Sequence, residues 1–190
     1  MKAGSGQHFE QAYNAQAAVE IESRLIVGQH LVDAPNDKEQ LVPAMTAISP
    51  VVESVAAVLV DHGYYSEAAV TKVESPSSPR GGSAVYAATG QRKHGRRVVE
   101  LEDHPDPPPP LPGASTAEIM TRRLATRAGK QLYGQRKQTI EPVFGIIKEA
   151  MGFRRFMLRG LTKTKLEWTL VTLSYNIKRL FHIGTELAMP

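Results

Sequence analysis

Val55 to Val60, read as VAAVLV, is an unbroken apolar run that stops at Asp61 and is followed by Gly63. A run this short, without polar alternation and with a turn signal behind it, suits a strand covered on both faces. Such a strand requires a packing layer on each side. The flanking residues supply candidates. Upstream, Ala12 to Val19 and Leu25 to Val32 are β-type stretches around a polar turn, which predicts a hairpin. Asp37 and Gln40 have the spacing of a capping box, and Leu41, Met45 and Ile48 share one face of the helix that would follow. Pro43 removes a helix hydrogen bond and predicts a kink or a late start. Downstream, Ser66 is an N-cap for a short helix through Val73. The order β-β-α-β-α belongs to an α/β layer, not to a sandwich or a bundle.

Two further parts follow. Residues 76–114 hold eight of the thirteen prolines and five of the fifteen glycines, and only Ala84 to Thr89 reads as a strand. Within them Gln91 to Arg97 (QRKHGRR) packs four permanent cations into seven residues. This composition buries little apolar surface, so a mobile basic insertion loop is expected, cut first by proteases around Arg92 to Arg97. Residues 115–190 read as helical. Ser115 and Glu118 make a capping box for a helix to Ala128 that Gly129 stops. A second helix contains Glu141 and Pro142 and is broken at Gly152. The last, Leu161 to about Ile183, places Leu166, Leu170, Leu173, Ile177 and Leu180 on one stripe. That stripe, extended by Trp168 and Tyr175, is expected to close over the core.

Composition excludes several classes. No apolar run among the 190 residues approaches a membrane span, and MKAGSGQHFE lacks the apolar stretch of a secretory signal. Without cysteine there is no disulfide, thiolate metal site or Cys nucleophile, and a reduced cytosolic protein is expected. The six histidines show no metal-ligand spacing, and no P-loop, dinucleotide fingerprint or nucleophile elbow is present. Charge is unevenly spread. Residues 1–60 carry three basic and seven acidic side chains, a net of −4, whereas residues 121–183 carry fourteen and three, a net of +11. A basic half points to a polyanion, or to a solvated helical surface.

Two carboxylates stand out. Asp61 ends the buried run, and Glu141 lies near the start of a basic helix beside Tyr133, Arg136, Lys137 and Lys148. Lys137, Glu141, Phe144 and Lys148 share one helical face. Each acid alone has a plain structural reading, Asp61 as a turn residue and Glu141 as favouring a helix N-terminus. Together with the surrounding cations they fit a phosphodiester site, which needs oxygen ligands for a hard cation and positive charge to hold phosphate.

VLVDHGYYS, then YGQRKQTIEPVFGIIKEAMGFRRFMLRG and EWTLVTLSYNIKRL, resemble the DDE transposases of bacterial insertion sequences. YNAQAAVE and LVDAPNDKEQL are similar to that family's hairpin and following helix, so the resemblance runs over nearly the whole chain. It implies an α/β, ribonuclease H-like catalytic domain, with 1–75 its first part, 76–114 an insertion and 115–190 its helical remainder. It further implies Asp61 and Glu141 as the second and third catalytic acids and as metal ligands, lying close together in the fold. Tyr133, Arg136 and Lys148 match the tyrosine–arginine–glutamate–lysine signature and would contact DNA phosphates. Four residues separate Arg136 from Glu141 where the family pattern has three, and Lys137 restores the gap. The implied cofactor is Mg²⁺ or Mn²⁺ in two-metal phosphoryl transfer. The implied partners are the DNA of element ends and target, with a homodimer on DNA, in the bacterial cytoplasm and on the nucleoid when bound.

In that family the first Asp stands on a central strand preceding the segment matched by MKAGSGQHFE, and no Asp precedes Asp33 here. The expectation is a C-terminal portion whose sheet lacks its central strand and which does not cleave DNA by itself. The alternative is a non-catalytic, basic DNA-binding remnant of a decayed element. A bare structural α/β domain is a third reading.

Overall fold

A computed structural model describes residues 12–90 and 105–188. The basic run Gln91 to Arg97, and its expected sensitivity to proteases, lie outside the described residues. The chain is mixed α/β, with an antiparallel and a parallel two-stranded sheet and five α-helices among the described residues. It divides into two compact units. Of the described residues, the first takes 12–37, 43–52 and 137–188, and the second takes 38–42, 53–90 and 105–136.

In the first unit, β1 (Asn14–Val19) and β2 (Ile26–Val32) form the expected hairpin. Its turn is fixed by Glu20, whose carboxylate accepts from the amides of Glu22 and Ser23 and from the Ser23 hydroxyl. Gly28 lets the chain approach closely: a Cβ there would stand 2.9 Å from Ile48 Cα, where the two residues form an isolated β-bridge. Asp37 does not cap a helix. Its carboxylate instead accepts from Asn14 Nδ2 at 2.5 Å and Gln16 Nε2 at 3.0 Å. Helix α1 (Leu41–Thr46) accordingly starts late, with Pro43 in its first turn where the missing N–H is harmless.

The core of this unit is Ile26, Leu31, Val143, Ile147, Trp168 and Tyr175, ringed by Phe144, Phe153 and Phe156. Helix α5 (Leu161–Ala188) is fastened to the hairpin by polar groups. Trp168 Nε1 donates to the Gln16 carbonyl at 3.0 Å, and the Tyr175 hydroxyl donates to the Arg24 carbonyl at 3.0 Å. The Asn176 amide both accepts from Ile26 N (2.9 Å) and donates to Ile26 O (2.8 Å).

These contacts overturn the expected burial of the leucine stripe. Trp168 and Tyr175 are in the core, but on the opposite face of α5, with Thr164 and Thr172. Leu166, Leu170, Leu173, Ile177 and Leu180 are between 52 and 64% exposed. The buried face is the one that can satisfy the hairpin's carbonyls and amides as well as fill its apolar gap. Leucine can do only the second.

In the second unit, β3 (Ala57–Val60) pairs in parallel with β4 (Ala84–Ala87), Val60 opposite Ala87. β3 is only half-buried, not covered on both faces as its apolar run predicted. Helices α2 (Glu67–Glu74) and α3 (Thr116–Ala125) pack on β4 and on each other, enclosing Val70, Val73, Val85, Ala87 and Met120. Ser66 and Ser115 cap them as expected, the latter with the complete box to Glu118. The strand read at Ala84 to Thr89 is thus a core element. Its outer edge is closed by side chains: Glu74 accepts from Val85 N at 2.9 Å, and Arg123 donates to Val85 O at 2.5 Å while ion-pairing with Glu74. An edge occupied in this way offers nothing to another strand.

Gly129 does not stop a helix. The break comes at Thr126, which is extended (ψ 154°), and α4 (Arg127–Gly145) starts behind it with Thr126 Oγ1 accepting from Gly129 N. Glycine is needed at 129 for space, since a Cβ would fall 1.9 Å from the Arg123 carbonyl oxygen. Beyond Pro142 the helix widens into a π-turn, Ile146–Ala150, and ends at Gly152 in the left-handed region (φ 71°). Proline's missing N–H and the π-turn are familiar disturbances of the helical ladder.

Candidate functional site

Asp61 follows the last residue of β3. Its Oδ1 accepts from His62 N at 2.8 Å and caps the single 3₁₀ turn His62–Tyr64. Its turn role is therefore real. The other oxygen, Oδ2, lies 3.5 Å from Arg136 Nη1. The Arg136 side chain is 18% exposed and that of Asp61 is 64% exposed, so a largely buried cation meets a carboxylate open to solvent. At that exposure the pair itself contributes little stability. Arg136 Nε is buried without an acceptor among the described residues.

Tyr133 and Arg136 are three apart on α4 and therefore share a face. The Tyr133 hydroxyl donates to Val60 O at 3.1 Å, and the Arg136 guanidinium stands 5.5 Å from the Tyr133 ring centroid. One face of α4 thus holds the strand end and the Asp61 side chain together. His62 closes the other side, its Nδ1 being 2.9 Å from the carbonyl of Ala88, just after β4. Tyr65, next to this turn, has a buried hydroxyl with no partner among the described residues, and burial, with Glu67 nearby, pushes its pKa up. His62 and Tyr65 were not singled out from sequence. Their roles depend on chain segments that no local pattern ties together.

Glu141, Lys137 and Lys148 belong to the first unit and are exposed. Glu141 is not near a helix start. It lies in the second half of α4, one residue before Pro142. Lys148 is on the π-turn, with Nζ 6.0 Å from the Phe144 ring centroid, and Phe144 stacks on Trp168 at 6.0 Å. The fold therefore joins Asp61, Tyr133 and Arg136 in one unit. Glu141 and Lys148 are presented in the other.

The carboxylates of Asp61 and Glu141 are suitable donors for a hard divalent cation. Asp61, however, brings the Arg136 charge with it. Among the described residues, no group of three or more His, Asp or Glu side chains is arranged to hold a metal ion. As they stand, these residues do not complete a divalent-metal site.

Residues 112–181 match a family model described as a transposase DDE domain. The match includes Tyr133, Arg136, Lys137, Glu141 and Lys148 and stops short of Asp61. It supports a transposase-type function. No curated protein and no solved structure matches the chain. Among the described residues, no helix is long and apolar enough to cross a membrane.

Proposed function

We propose that the chain is part of the catalytic domain of a DDE-type DNA transposase of a bacterial insertion sequence, with a ribonuclease H-like fold. The observation that carries this reading is the attachment of the matched segment to Asp61. Tyr133 and Arg136, both within residues 112–181, reach the end of β3 and the acid that follows it. A carboxylate at a strand's carboxyl end is a donor for a hard cation, and a guanidinium beside it is a donor for a phosphate oxygen.

In this reading residues 1–75 and 115–190 belong to the catalytic domain together with β4, and the rest of 76–114 is inserted around that strand. Asp61 and Glu141 are its second and third acids, two of the oxygen ligands for Mg²⁺ or Mn²⁺ in the complete enzyme. A bound divalent ion there would stabilise charge on phosphate oxygens. Arg136, Lys137 and Lys148 bind phosphates of the DNA, and Tyr133 sets the height of Asp61 against Arg136. DNA binding rests on these cations and nicking on the acids, so the two activities are separable.

The test is binding and nicking of DNA by the 190-residue chain, with and without Mg²⁺ or Mn²⁺. Salt-sensitive binding without nicking supports the reading, provided that Arg136→Ala and Lys148→Ala each weaken it. Absence of binding at low salt removes it. Metal-dependent nicking abolished by Asp61→Ala would show instead that the chain is competent as it stands.

A further inference from the structure

We propose that the outward face of α5 is a self-association surface, on which two copies of this chain pair antiparallel about a two-fold axis close to Leu173. The proposal stands apart from any action on DNA.

Leu166, Leu170, Leu173, Ile177 and Leu180 are spaced by four, three, four and three residues and are all more than half exposed. Alternate gaps of three and four make the seam of a two-helix coiled coil, in which each apolar knob enters a hole on the facing helix. The seam runs for roughly 21 Å at the helical rise. It cannot turn inward, because Trp168, Tyr175 and Asn176 hold the opposite face against the hairpin.

Area favours a second copy. With Phe181, which is 69% exposed, the stripe presents on the order of 600 Å² of apolar surface, the upper end of what a monomer ordinarily leaves open. Doubled in a symmetric pair, about 1,200 Å² reaches the lower bound of specific interfaces. Charge sets the direction. Lys163 continues the seam at its amino end and is exposed. A parallel pair would set it against its own copy, whereas an antiparallel pair sets it against the Leu180 end. In that arrangement Leu166 and Leu170 of one copy meet Ile177 and Leu180 of the other.

The chain has no cysteine, so introduced thiols report cleanly. Sedimentation of the 190-residue chain without DNA should show a dimer at micromolar concentration. Oxidised Leu173→Cys should give a covalent dimer in at least several-fold higher yield than Leu166→Cys, because only residue 173 meets itself across the axis. The double variant Leu170→Glu/Ile177→Glu should weaken association at least tenfold with helical content retained. A monomer throughout the micromolar range overturns the proposal and leaves the face to a different protein. Equal yields at 166 and 173 overturn it too, since parallel pairing or random collision gives that result. If the charged variant fails to fold, the two cysteine variants still decide.

Discussion

The hydroxyl of Tyr133 donates to the carbonyl of Val60, 3.1 Å away across 73 positions of sequence. It fixes the last peptide before Asp61 to the face of α4 that carries Arg136. Tyr133→Phe keeps the ring and deletes one hydrogen bond, so it should cost about 1 kcal/mol in urea denaturation. A loss below the error of the measurement would mean that the bond does not hold the strand end.

Arg136→Ala should weaken DNA binding and lower the slope of log affinity against log salt by about one, the signature of a single lost phosphate contact. Arg136→Lys should recover most of the slope, since a point charge serves a phosphate. Binding measured at several salt concentrations separates this outcome from unfolding, which would abolish binding at every concentration.

Two glycines on one helix should respond with opposite signs. Gly129→Ala would bring a Cβ to 1.9 Å from the Arg123 carbonyl oxygen, so the α3–α4 junction must shift, at a cost of more than about 1 kcal/mol. At Gly134 nothing among the described residues lies within 4 Å of an added Cβ, and Gly134→Ala should stabilise by about 0.5–1 kcal/mol through helix propensity. Thermal unfolding of the pair checks both.

Trp168→Ala removes the largest buried side chain of the first unit and its bond to Gln16 O. A loss of roughly 3–5 kcal/mol is expected. Leu170→Ala, on the exposed face of the same helix, should cost far less in the monomeric state. Comparable losses would mean that α5 is turned the other way round.

The capping box of α3 predicts a pH effect. Glu118 is held below its ordinary value of 4.5 by the Ser115 amide and hydroxyl. A carboxyl with a lowered folded pKa contributes stability that is full above the unfolded value and lost as pH falls through the folded one. The stability difference between the wild-type chain and Glu118→Gln should therefore stay constant above about pH 5 and close below 4.5. A gap that widens on acidification would contradict the sign.

Local chemistry was legible in the sequence wherever neighbouring residues settle the structure. The hairpin ends within two residues of its expected limits, and Ser66 and Ser115 cap the helices they precede. Asp61 at a strand end was equally readable. Features that depend on distant partners were not. Asp37 has capping-box spacing but is taken by Asn14 and Gln16, and Gly129 looks like a stop but makes room for a carbonyl. Arg123 and Glu74 meet over 49 positions to close β4, with no local signal for either. Hydrophobic periodicity correctly identified α5 as amphipathic but chose the wrong face, because it weighs oil and ignores unsatisfied peptide groups.

Asn176 presents a carbonyl and an N–H to Ile26 much as a neighbouring peptide would. It thereby acts as a keyed coupling between helix and strand. Sliding α5 by one residue would move it 1.5 Å and swing its faces by about 100°, breaking both bonds at once. The helix has one azimuth and no graded neighbours. Apolar matter is consequently stranded on the solvent side by anchors that are partly polar, and replacing Asn176 with leucine would leave Trp168 and Tyr175 to hold that azimuth alone.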